Sequence, residues 1–194
     1  MAQFVLVSPR PADTDALRRE LTAIYTAAFG PPPYSHTARE ARYFSQRYPG
    51  HAARPGFRLR LARQAPHGAP AGFAYGYPSR PGQWWHDQVR PHLESGPAAV
   101  WLADAFELVE LAVAPAFQGL GLGGRLHDAL LAGLTCRRAL LSTLAQPTRA
   151  LAMYRRRGWQ TLVESMHFDG VPEPYRVMGK LLPAKAGQPE PPGA

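Results

Sequence analysis

The residues best suited to chemistry lie in one stretch, from Glu107 to Arg125. An apolar run carrying two carboxylates, Glu107 and Glu110, leads into glycines at 119, 121, 123 and 124, and a helical pattern starts at once. Glycines let the backbone turn tightly and let a ligand approach its N–H groups. A helix start offers unpaired N–H donors and about half a positive charge. Together these make an anion site suited to a pyrophosphate. Arg125, in the first turn, works against the helix dipole but favours a bound polyanion. Gly119-x-Gly121-x-x-Gly124 also has the formal spacing of a dinucleotide-binding turn. Such a turn wants an acidic residue about 20 positions on. None occurs between Asp128 and Glu164, and the turn comes late in the chain, so that reading is set aside. No Gly-Lys-Ser/Thr follows, which excludes a P-loop. A purely structural tight turn is the plain alternative.

Two motifs carry a resemblance. Val113-x-Pro115-x-x-Gln118-x-x-Gly121-x-Gly123 resembles the Gln/Arg-x-x-Gly-x-Gly/Ala acetyl-CoA motif of the GNAT acetyltransferases. Downstream, Ala150-x-x-x-Tyr154-x-x-x-Gly158-Trp159 resembles the second signature of that family. Pro147 departs from it, standing where many members carry Asn, which removes one side-chain contact to the pantetheine arm. The resemblance covers Glu107 to Trp159 directly, and no matching motif precedes it.

The resemblance implies a mixed α/β fold. Its sheet would be mostly antiparallel, of about seven strands, splayed between strands 4 and 5, with helices on both faces. It implies acetyl-CoA as cosubstrate and no metal. The pantetheine arm would pair with the backbone of Leu111, Ala112 and Val113, opposite the strand at 139–143. The pyrophosphate would sit on N–H groups of Gln118, Gly119, Leu120, Gly121, Leu122, Gly123 and Gly124, beside Arg125. The implied activity is direct transfer of acetyl to a primary amine of an acceptor, either a small molecule or a peptide. The alternative is a GNAT-fold protein that binds acyl-CoA without catalysis, or regulates.

Acetylating an amine poses two proton problems. An alkylamine with a pKa near ~10.4 is almost wholly protonated at neutral pH, and the departing thiolate needs a proton. A positioned base and acid each contribute about 10²–10⁴-fold. Glu107 and Glu110 are the candidate bases, since the resemblance puts their strand against the thioester. Strict alternation points them to opposite faces, and a bulge would change that. Counting back from Gln118 favours Glu107. A surface or salt-bridged carboxylate is the plain alternative for either. Tyr154 falls on the family tyrosine and is the candidate acid, with aromatic packing as its alternative. Trp84 and Trp85 are candidate acceptor contacts, or else the small core of an inserted loop. Tyr34 and His36 are candidate acceptor contacts by position. Cys136 has no His-plus-acid pair placed to activate it.

These residues need elements to position them. Phe4 to Val7 reads as a strand. A helix capped by Asp13 or Thr14 carries Leu17, Leu21, Ile24 and Ala28, and Gly30 with Pro31 to Pro33 stops it. Thr37 and Glu40 form a capping-box pattern opening a second helix to about Tyr48. Two strands, 57–62 and 71–77, flank a turn with His67, Gly68 and Pro70. Residues 80–96 read as a loop or short helix. Residues 105–113 form the strongest strand, followed by an amphipathic helix at 122–134. A strand at 139–144, a helix at 148–157 and strands at 159–168 and 175–182 complete the order.

The 194 residues suit one domain, expected over 1–183, with a Pro- and Gly-rich tail at 184–194 expected to be disordered. Net charge is +8, from 20 Arg and 2 Lys against 14 acidic residues, which favours anionic partners. The arginines are dispersed and no zinc-finger or RNA-binding signature occurs, so nucleic acid is not expected as the main partner. The one cysteine excludes an intrachain disulfide and a multi-cysteine metal site. No apolar run reaches the roughly 18–20 residues of a membrane span, and no secretory leader is apparent. A cytoplasmic protein is expected, with a homodimer left open.

Overall fold

The computed structural model describes residues 3–10, 14–65, 68–93 and 100–183. Asp13, His67, the end of the 80–96 segment and the tail at 184–194 lie outside the described residues. In chain order the elements are β1 (Phe4–Val7), α1 (Thr14–Phe29), α2 (Ala38–Ala52), β2 (Arg58–Gln64), β3 (Pro70–Pro78) and α3 (Trp84–Leu93). They continue with β4 (Ala105–Val113), α4 (Leu122–Leu131), β5 (Arg138–Leu144), α5 (Arg149–Arg156), β6 (Gln160–Met166) and β7 (Tyr175–Leu181). The strands form a seven-stranded sheet ordered β1-β2-β3-β4-β5-β7-β6. β1–β2, β2–β3, β5–β7 and β6–β7 are antiparallel. This is the mixed α/β class the sequence implies.

The chain divides into two compact units. The first joins Met1–Pro78 to Glu107–Ala132, and the second joins Ser79–Phe106 to Gly133–Ala194.

The first unit is built around aromatic side chains. Leu17, Leu21 and Ile24 of α1 and Phe44 and Tyr48 of α2 are buried against Leu59 and Leu61 of β2 and Phe73 and Tyr75 of β3. Tyr25 stacks on Phe44 at 4.4 Å, and Phe44 meets Phe73 at 5.8 Å. The capping box forms. The Thr37 side chain accepts from Arg39, and the Thr37 backbone N–H donates to Glu40 Oε2 at 2.7 Å. These bonds hold the Glu40 carboxyl down at about 2. Helix α2 runs past Tyr48 to Ala52 with Pro49 inside it. Pro49 lies in the last turn, where its carbonyl still accepts from Ala53 N–H. Helix α4 stops at Leu131 and not at Leu134, because Gly133 turns the chain at φ +67°. Arg60 and Arg58 of β2 donate to the Ala129 and Ala132 carbonyls at its C-terminal end. These cations also complement the helix dipole there.

The second unit has its own core of Trp85, Val89 and Leu93 of α3 with Trp101, Leu140, Met166, Phe168 and Val177. Thr148 caps α5 by accepting from Leu151 N–H at 3.0 Å, and Gly158 at φ +77° ends that turn. Lys180 Nζ donates to the Arg157 carbonyl at the same end.

Gly72 of β3 faces the tightest spot in the first unit. A Cβ there would lie 2.8 Å from the Ala112 carbonyl oxygen and 3.1 Å from Leu126 Cδ1. Gly50, exposed in α2, would meet nothing within 4 Å. Gly72→Ala is therefore expected to destabilise by about 1–3 kcal/mol. Gly50→Ala is expected to stabilise by about 0.5–1 kcal/mol. Chemical denaturation of both variants checks the contrast.

Candidate active site

The glycine turn forms as the residue types require. β4 ends at Val113, a short 3₁₀ turn follows at Pro115–Phe117, and α4 opens at Leu122. Gly119 and Gly121 have φ +78° and +75°, the left-handed region that side chains with a Cβ disfavour. A Cβ at either would meet open space, so backbone conformation is what demands glycine here. Gly121 is the N-cap of α4 and supplies no side-chain cap. Its carbonyl accepts from Arg125 N–H at 3.1 Å. The N–H groups of Leu122, Gly123 and Gly124 precede the first helical bond and have no partner within the helix. Two expected contacts are differently engaged. Gln118 N–H donates to the Pro115 carbonyl, and its side-chain amide donates to the Val113 carbonyl at 3.0 Å. Arg125 donates to the Phe4 carbonyl at 3.0 Å, fixing α4 to β1. Leu120 is exposed, Leu111 is half-buried, and Ala112 and Val113 are buried in β4.

The two carboxylates are not surface groups. Glu107 is 3% exposed, its Oε2 is buried without a hydrogen-bond partner, and Glu110 is half-buried. Burial pushes both carboxyls up to about 8, while Arg47 pulls both down and Arg54 pulls Glu107 down. Although three apart on β4, both glutamates act on the same groups. Each raises the hydroxyls of Tyr75 and Tyr77, which burial already pushes well above the usual range.

This polar cluster was not foreseen. Arg47, His51 and Arg54 follow helical spacing at and just past the end of α2, so they share a face. Tyr75 and Tyr77 share a face of β3. His51 Nδ1 pairs with the Tyr75 hydroxyl at 3.1 Å. Desolvation and the two arginines lower the imidazole to about 4, so it is neutral at pH 7. The signal was the helical spacing of Arg47, His51 and Arg54 beside the buried Phe44 and Tyr48, adjoining two tyrosines two apart on the next hairpin.

The remaining candidates fall in separate places. Tyr34 and His36 belong to the aromatic group beside α1. Phe29 meets Tyr34 at 4.8 Å, and the Tyr25 hydroxyl pairs with His36 Nδ1 at 2.9 Å. The second unit holds Trp84, Trp85 and Tyr154. Trp85 is buried and donates from Nε1 to Ser142 Oγ at 3.1 Å, whereas Trp84 is exposed and tilts against Phe168 at 5.4 Å. Tyr154, in α5, is buried with its ring edge-on to Trp159 at 5.7 Å. A cavity in this unit is lined by Ser79, Arg80, His86 and Asp104 and carries none of the motif residues. Among the described residues no group of three or more His, Cys, Asp or Glu is placed to hold a metal, and no helix is long and apolar enough to cross a membrane.

Residues 82–161, which include β4, the glycine turn and α5, match the model of the Acetyltransferase (GNAT) domain. Over that segment the chain is similar to the GNAT acetyltransferases. A GCN5-like protein acetyltransferase of Mycobacterium tuberculosis, Rv2170, is 42% identical over 120 residues. That match covers 58% of this chain and 58% of the relative, so the chain spans little more than half of that protein's length. Solved structures share the GNAT fold at lower identity. The Corynebacterium glutamicum structure described as histone acetyltransferase HPA2 and related acetyltransferase has a TM-score of 0.64 at 20% identity, covering 96% of this chain and 99% of that one. The ribosomal-protein-S18-alanine N-acetyltransferase of Escherichia coli gives 0.61 at 18%, covering 96% and 97%. Salmonella typhimurium yncA, solved with its cofactor acetyl-CoA, gives 0.56 at 17%, covering 97% and 99%.

The buried carboxyl of Glu107 has a measurable consequence for this protein. An unfolded glutamate ionises near 4.5, the folded one near 8. Below pH 4.5 both states keep the proton. Between these values only the unfolded state releases it, so the group costs stability as pH rises. Glu107→Gln is neutral throughout. The variant is expected to match the wild type in stability at pH 4 and to exceed it increasingly to pH 8, by on the order of a few kcal/mol. Thermal melts across this range check the trend.

Proposed function

We propose that this protein is an acetyl-CoA-dependent N-acetyltransferase that moves acetyl directly to a primary amine. The observation that carries the reading is the coincidence, in one unit, of a glycine-turned helix start with raised carboxyls on the strand leading into it. The N–H groups of Leu122 to Gly124 suit a pyrophosphate. A carboxylate with a pKa of about 8 is a far stronger proton acceptor than an ordinary glutamate, as amine deprotonation demands. In the proposed step the amine nitrogen bonds to the acetyl carbon and the C–S bond breaks. The amine proton passes to Glu107, with Glu110 the second candidate. Leu111, Ala112 and Val113 would pair with the pantetheine arm, and a backbone N–H near Leu111 would hold the oxyanion. The departing thiolate would take its proton from Tyr154. The sequence position of Tyr154, four residues before the Gly158 turn, supports that role. Rv2170 is by name a protein acetyltransferase, which makes a protein or peptide amine one acceptor class for this chain.

Acetyl-CoA is expected to raise the melting temperature of the full chain, because it binds only the folded state. Gly121→Val forces a β-branched residue to φ +75° at the helix start and is expected to abolish that shift. A normal shift in that variant, or a shift with NAD and none with acetyl-CoA, overturns the cofactor assignment.

Tyr154→Phe removes only the hydroxyl. It is expected to fold, to keep its acetyl-CoA shift and to lose turnover by about 10²-fold. Free-thiol release measures the rate, and a wild-type rate would leave Tyr154 as packing.

A further inference from the structure

The cluster around Glu107 contains an unmatched acceptor and unmatched donors. Glu107 Oε2 and Arg47 Nε are both buried without a hydrogen-bond partner. Buried polar atoms in native proteins are nearly always paired, so orphans at a site need an explanation. Arg47 and Arg54 are also held for use at their edges. Arg47 Cζ lies 4.3 Å over the Tyr43 ring, and Arg54 Cζ lies 4.3 Å over the Tyr77 ring. Stacking occupies a guanidinium face and leaves its in-plane N–H groups to meet an oxygen. Among the described residues neither guanidinium forms an ion pair. Both nevertheless act electrostatically on Glu107. His51, with Nδ1 bonded to Tyr75 and its ring neutral at pH 7, brings no positive charge in their place.

We propose that the acceptor is an α-amine with a carbonyl or carboxylate oxygen on the adjacent carbon, its nitrogen taken by Glu107 and its oxygen by Arg47 with Arg54. This rests on the acetyltransferase reading and names its substrate class. A peptide N-terminus and a free amino acid share that chemistry. A lysine side chain or plain alkylamine offers the arginines nothing and would leave them unpaired. Proton transfer favours the same choice. The α-amine of a peptide N-terminus, with a pKa near ~7.7–8.0, lies level with the Glu107 carboxyl, whereas an ε-amine near ~10.4 gives up its proton uphill.

The test uses the full chain with acetyl-CoA and four acceptor pools, reading free-thiol release. The pools are lysine-free peptides with free N-termini, N-terminally blocked peptides with free lysines, the common amino acids, and their decarboxylated amines. One or both α-amine pools are expected to exceed the other two by about 10²-fold in kcat/KM, the upper end of what one buried polar group left unpaired enforces. Preference between peptides and amino acids identifies the source. Arg47→Gln is expected to lower kcat/KM for α-amines at least about 10-fold more than for lysine-only peptides, mostly through KM. If Arg47 acts only on the basicity of Glu107, all pools fall together and the proposal is overturned. Equal or faster reaction of blocked peptides or decarboxylated amines overturns it as well, as does silence from every pool. Acetyl-CoA binding, followed separately by thermal shift, shows whether the transferase reading falls with it.

Discussion

The first unit depends on keeping a carboxyl out of water without an ion pair to hold it. Glu107 sits 3% exposed on β4, and an isolated buried carboxylate costs so much that the group keeps its proton instead. Arg47 and Arg54 offset part of that cost, so they must be held near the strand. Their position follows from α2, and α2 is set by its capping box and by the contacts of Phe44 with Tyr25 and Phe73. The chain thus spends much of its aromatic core on placing two cations beside two acids.

The glycine turn makes the opposite use of the backbone. Its constraint is conformational, with left-handed φ at Gly119 and Gly121 and open space around both. What gives the turn a fixed direction is its surroundings. Gln118 folds back onto the Val113 carbonyl, Arg125 ties the start of α4 to β1, and Arg58 and Arg60 hold its far end. These arginines explain part of the high basic content without invoking nucleic acid. Their guanidiniums satisfy carbonyls at the C-terminal end of α4 and in β1.

The second unit repeats the economy on a smaller scale. Thr148, Gly158 and Lys180 fix both ends of an eight-residue helix, which is too short to persist alone. Trp85 and its bond to Ser142 anchor α3, so one member of the Trp84–Trp85 pair is structural and the other is exposed.

By itself the sequence determined the elements and the glycine turn. Periodicity, the capping box at Thr37 and Glu40, and glycines where φ must be positive are local signals, so they could be read one element at a time. The boundaries that shifted, at the ends of α2 and α4, depended on whether a late proline or glycine falls inside or beyond the last turn. The sequence also placed Glu107 and Glu110 on the right strand. Only tertiary structure decided what those carboxyls are. A pKa near 8 comes from burial, which Arg47 and Arg54, more than fifty positions away in the chain, only partly offset. Desolvation and Coulomb forces act through space, and no spacing rule connects a polar stripe on α2 to a strand so distant in sequence. For the same reason Tyr75, Tyr77 and His51 went unnoticed. Their chemistry exists only once β3, β4 and α2 are packed together.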